Sequence, residues 1–123
     1  MHKLFGIAAI LIAVSIACGA FAAHGLKDKL DPYYMAIFEK AAYYNMTQAL
    51  GLFFILFLAT SNILLPEFAA RIFYILLFGI IVFSGSLYAL ALTQIKWLGA
   101  ITPVGGVAMI IAWVWLGIKL LFS

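Results

Sequence analysis

Four stretches of the chain stay apolar for about twenty residues at a time, the length of helix needed to cross a hydrocarbon layer about 30 Å thick. Polar and helix-breaking residues gather between them. The first stretch runs from about residue 4 to 23 without a charge and ends in "GAFAAHGL", followed by Lys27-Asp28-Lys29. Small residues recur along it at four-residue spacing, as Ala9-Ala13-Ala17 and Ser15-Gly19-Ala23, a pattern that lets helix backbones approach closely. The second stretch, 32–60, opens on Asp31 as a helix cap and Pro32 in the first turn. Its early turns, "YYMAIFEKAAYY", mix Tyr33, Tyr34, Ile37, Phe38 and Ala41 with Glu39 and Lys40, as expected of an interfacial segment; the span proper begins near Ala42. The third helix, 66–93, opens with Pro66 and Glu67. After a loop anchored by Lys96 and Trp97, Thr102-Pro103 reads as a cap and start for a fourth helix over 103–122. The other option is a start near Trp97 with a kink at Pro103.

Composition turns these helices into membrane spans. Of 123 residues, 68% are hydrophobic and 9% are charged. A water-soluble globule of this size leaves roughly a third of its surface exposed and could not hide so much apolar area. The expected fold is therefore all-α, an integral membrane four-helix bundle forming one domain over 1–123. The net charge of +3 does not suggest nucleic acid, because the basic residues stand at segment ends and form no patch. They divide as Lys3, Arg71 and Lys119 on the side of the termini against Lys27, Lys29, Lys40 and Lys96 on the other, too even a split to fix orientation.

The beginning of the chain also imitates a secretory signal, with "AFA" as a cleavage site, and "SIAC" imitates a lipoprotein box around Cys18. The small-residue spacing favours a retained, packed helix. Cys18 is the single cysteine, so no disulfide closes within the chain, and the ligands for a structural zinc site are absent. No cofactor or metal is expected.

Polar residues inside a membrane are costly and are candidates for function. The inventory is His24, Glu39, Tyr44, Asn45, Gln48, Ser84, Tyr88 and Thr102, gathered by the topology towards one membrane face. Together they could hold a polar headgroup, a solute or a proton, with His24 as the titratable member and Glu39 as its counter-charge. The plainer reading, which carries more weight, is hydrogen bonding between helices. Gly19, Ala23, Gly85, Gly105 and Gly106 are expected to serve helix packing. No Gly-x-Ser-x-Gly, phosphate-loop or metalloprotease pattern is present, and the chain is not expected to be an enzyme.

The segments "GAFAAHGL", "FEKAAYYNMTQALGL", "FSGSLYALALT" and "GAITPVGGVAMIIAW", in this order and spacing, resemble the small bacterial membrane proteins of domain of unknown function 423, the YgdD/YwdK-like proteins, related to transmembrane protein 256. The resemblance covers about residues 6 to 115. It implies a four-helix protein of the bacterial plasma membrane and brings no activity with it. It points to Gly19, Phe21, Ala23, His24 and Gly25 in helix one and Tyr44 in helix two. In helix three it points to residues 84–88, and in helix four to Thr102, Pro103, Gly105 and Gly106. The family pattern commonly has glycine at the positions of Ala22 and Ala112, and histidine where Gln48 stands. The last difference argues against a relay between two histidines. The function expected is a compact bundle that binds membrane lipid, a partner membrane protein or a second copy of itself. The alternative is transport of a small solute or ion through the polar cluster of an oligomer.

Overall fold

The computed structural model describes residues 2–123 and consists of four long helices: α1 (His2–His24), α2 (Pro32–Thr60), α3 (Pro66–Thr93) and α4 (Thr102–Leu121). All four are long and apolar enough to cross a membrane. Each boundary has a local cause. The Asp31 carboxylate caps α2 by accepting from the Tyr33 and Tyr34 amides, at 2.8 and 3.2 Å. Pro66 begins α3 without any side-chain cap. The turn before it is closed by the Ile63 and Leu64 amides donating to the Leu58 carbonyl, with Asn62 in the left-handed region at φ 63°. Gln94, also left-handed at φ 61°, ends α3.

The fourth helix differs in detail from expectation. Lys96–Ala100 forms a short 3-10 helix, and α4 starts at Thr102. Thr102 is not a cap. Its hydroxyl turns away from the helix end and meets Ser86 and the Leu98 carbonyl.

Helices α2 and α3 form the central antiparallel pair, with α1 packed on α2 and α4 packed on α3. Leu52, Ile55, Leu56, Ile72, Phe73 and Leu76 fill the central seam. Lipid is as apolar as these side chains, so close packing rather than exclusion from water holds the seams together. On α1 the buried residues are Ala8, Ser15 and Ala22, seven apart, with half-buried Leu4, Leu11 and Cys18 each four residues before one of them. That alternation of three and four is the seam of a coiled coil. Of the small-residue stripes read from the sequence only Ser15 falls in this seam, since Ala9, Ala13, Ala17, Gly19 and Ala23 are all exposed.

Candidate functional site

The polar residues of the spans are divided among separate helix contacts. Between α2 and α3, the Asn45 amide nitrogen donates to the Tyr88 hydroxyl at 3.0 Å, and Ser84 donates to the Ala41 carbonyl at 2.9 Å. Asn45 is 2% exposed, and its side-chain oxygen has no partner. Between α2 and α4, Trp113 donates its indole N–H to the Gln48 oxygen at 2.6 Å. Between α3 and α4, the hydroxyls of Ser86 and Thr102 lie 2.6 Å apart. Tyr44 packs edge-on against Phe83, with centroids at 4.9 Å. His24 and Glu39 are exposed and stand apart from all of these. The other residues expected to form one polar cluster towards a membrane face are thus engaged in separate helix contacts, none of which includes His24 or Glu39.

One participant escaped the sequence reading: Trp113, the α4 partner of Gln48. Ser86, within the 84–88 segment that the family resemblance pointed to, is the α3 partner of Thr102. Trp113 had a signal: an indole N–H in mid-span needs an acceptor, and Gln48 is one of very few apolar-segment residues able to supply it.

The glycines sort by what a side chain would strike. At Gly105 a methyl group would meet the Phe83 backbone and lie 2.8 Å from the Gly79 carbonyl oxygen. At Gly79 it would lie 2.6 Å from Met109 and 2.9 Å from the Gly105 carbonyl. These two glycines, one unpredicted, set the close approach of α3 to α4. Gly51 similarly accommodates the Trp113 ring. A methyl at Gly106 would make ordinary contact with the Phe83 ring, whereas at Gly19 and Gly85 it would meet nothing within 4 Å. With Ala23 also exposed, these last three positions are not helix contacts within the chain.

Gly19 and Ala23 instead help line a cleft between α1 and α2, of about 520 Å³, together with Ala22, Ala42, Lys27 and Glu39. Met35 and Tyr43 complete its lining; Lys27 stands in the loop that joins the helices and Glu39 two turns into α2. A second groove, of about 380 Å³, runs between α2 and α4 past Tyr44, Gln48, Phe83 and Trp113. Among the described residues no group of three or more His, Cys, Asp or Glu side chains is placed to hold a metal ion.

Comparison with known proteins agrees with this architecture. The model of the family described as "Protein of unknown function (DUF423)" matches residues 18–106. The chain is 49% identical over 112 residues to a "UPF0382 membrane protein" of Staphylococcus epidermidis, covering 90% of this chain and 89% of that one. It is 45% identical over 108 residues to the UPF0382 membrane protein YwdK of Bacillus subtilis, covering 86% and 85% of the two chains. No solved structure matches. The chain belongs to the DUF423 family and is a multi-pass bacterial membrane protein with four spans.

Proposed function

We propose that this DUF423 protein is a lipid-binding membrane protein, without enzymatic activity, whose α1–α2 cleft takes one phospholipid. The observation that carries this reading is the make-up of that cleft. Gly19, Ala22, Ala23 and Ala42 leave a channel between two helices that otherwise pack closely, at the interfacial end of the spans, where a phospholipid can set its headgroup against Lys27 and an acyl chain along the small residues. Lys27 offers a cation for a phosphate, and Glu39 offers an acceptor for a headgroup carrying a donor. The exposed small residues of α1 then have a use: they make room for an acyl chain. A transport path draws no support from the polar residues, which are spread over separate contacts.

The test is native mass spectrometry of protein purified from membranes and re-exposed to phosphatidylethanolamine or phosphatidylglycerol. Wild type should keep one phospholipid through delipidation. Lys27→Ala should lower its retention several-fold, and Ala23→Leu, which fills the channel, should abolish it. Equal retention by all three proteins overturns the reading.

A further inference from the structure

From the groove between α2 and α4 we infer a second binding site, for a flat, neutral, carbonyl-bearing molecule of the isoprenoid quinone class dissolved in the membrane. The volume of about 380 Å³ is within the usual range for small-molecule sites, roughly 300–1,000 Å³. Three observations set the chemistry. The first is an excess of donors. The Gln48 oxygen is used by Trp113, which leaves the Gln48 amino group with only a 3.4 Å contact to its neighbour Thr47. Among the described residues the Tyr44 hydroxyl makes no hydrogen bond, its backbone carbonyl alone being engaged. Both residues line the groove. An unmade hydrogen bond in hydrocarbon costs several kcal/mol, so an acceptor entering here gains far more than it would in water.

The second observation is depth. At 1.5 Å per residue, Trp113 stands about 2 Å from the midpoint of α4, and so near the bilayer centre. Phosphates and ester carbonyls of phospholipids sit about 15 Å away, at the edges of the hydrocarbon core. An acceptor for the Gln48 amino group, held beside Trp113, must therefore come from within the core, whereas Tyr44, two residues past the expected start of the span at Ala42, lies towards its edge. The third is the walls. Tyr44 and Phe83 meet edge to face, and the Trp113 ring closes the opposite side, which suits a planar ring with delocalised electrons. A quinone presents acceptors to the Gln48 amino group and the Tyr44 hydroxyl, and a ring to the aromatic walls. An isoprenoid alcohol could pair its hydroxyl with Tyr44, which both donates and accepts, but it brings no ring to those walls.

This site is separate from the α1–α2 cleft, so either reading can fail alone. The experiment uses the full chain in phosphatidylglycerol nanodiscs, with Trp97→Phe and Trp115→Phe leaving Trp113 as the only tryptophan, excited selectively over the tyrosines. Titration with a short-chain naphthoquinone should quench Trp113 saturably. Gln48→Leu should weaken the apparent affinity tenfold or more, and Tyr44→Phe about threefold. Gly106→Leu fills the groove while sparing the Gln48–Trp113 bond, and should abolish saturation with the thermal transition retained. A short isoprenoid alcohol should not compete. Linear quenching that is the same in all variants is simple partitioning and overturns the proposal. So does equal competition by the alcohol, which would make the groove a tail site. Disulfide-linked dimers of Ile110→Cys without saturable quenching would assign the groove to a second copy and overturn it as well.

Discussion

At the scale of single residues, chemistry and packing pull the same residue types in different directions. Glycine shows this most plainly. Gly105 and Gly85 are both helical and lie on α4 and α3, yet only the first touches another backbone. Gly105→Ala should force α4 off α3 and cost about 1–3 kcal/mol, as overpacking does. Gly85→Ala meets open space and should be neutral or stabilising by about 0.5–1 kcal/mol through helix propensity. Thermal unfolding in detergent compares the two directly, and a larger loss at Gly85 would contradict the α3–α4 geometry. The interhelical hydrogen bonds should matter less than their burial suggests. A double-mutant cycle on Asn45→Leu and Tyr88→Phe should return a coupling near 0.6 kcal/mol and below about 1.7 kcal/mol, the range of such bonds in membrane proteins. A value of several kcal/mol would mean that Asn45, whose oxygen is unpartnered, belongs to a larger network. Reading Asn45, Ser84 and Thr102 as glue between helices needed only their polarity in lipid. Knowing which partner each takes needed the rotation of each helix about its axis, and an all-apolar sequence scarcely encodes that.

Elements were more legible than contacts, because their ends are punctuated. Asp31-Pro32 and Pro66 mark helix starts through fixed dihedrals and unneeded amide protons, whatever the solvent. What the sequence hid was the seam of α1. In water, a buried face announces itself by polar residues opposite; in lipid every face of α1 is apolar, so Ala8, Ser15 and Ala22 look no different from Ala9, Ala13 and Ala17. Those three are its only buried residues, far fewer than on α2 or α3, which makes α1 the most weakly held helix. Trypsin cutting at exposed Lys27 or Lys29 should leave α1 associated with the rest of the wild-type protein in mild detergent. Replacing both Ser15 and Ala22 with Leu should release α1 on cutting, while the α2–α4 fragment keeps its thermal transition within a few degrees. Loss of that transition together with α1 would show that the helices fold as one indivisible unit.

For the whole molecule, the decisive fact is an even number of crossings. It places both ends of the chain on one face, with the 61–65 turn, and puts the loops around Lys29 and Lys96 on the other. Cysteines introduced at His2 and Ser123 in a Cys18→Ser background should react together with a membrane-impermeant thiol reagent, and one at Lys29 should react only from the opposite side. Labelling of the two ends from different sides would require an odd number of spans and would remove the four-span fold. Orientation is governed by basic residues beside the spans, and all seven here are exposed. Three on the side of the termini against four on the other is nearly balanced, and orientation responds to just such differences in short loops. Ser61→Lys with Glu67→Lys raises the first count to five. That change should hold the termini cytoplasmic in nearly every molecule, because retained lysines resist translocation while the apolar spans are indifferent to direction. The same reagent, applied to intact cells, then labels Lys29→Cys and spares both ends.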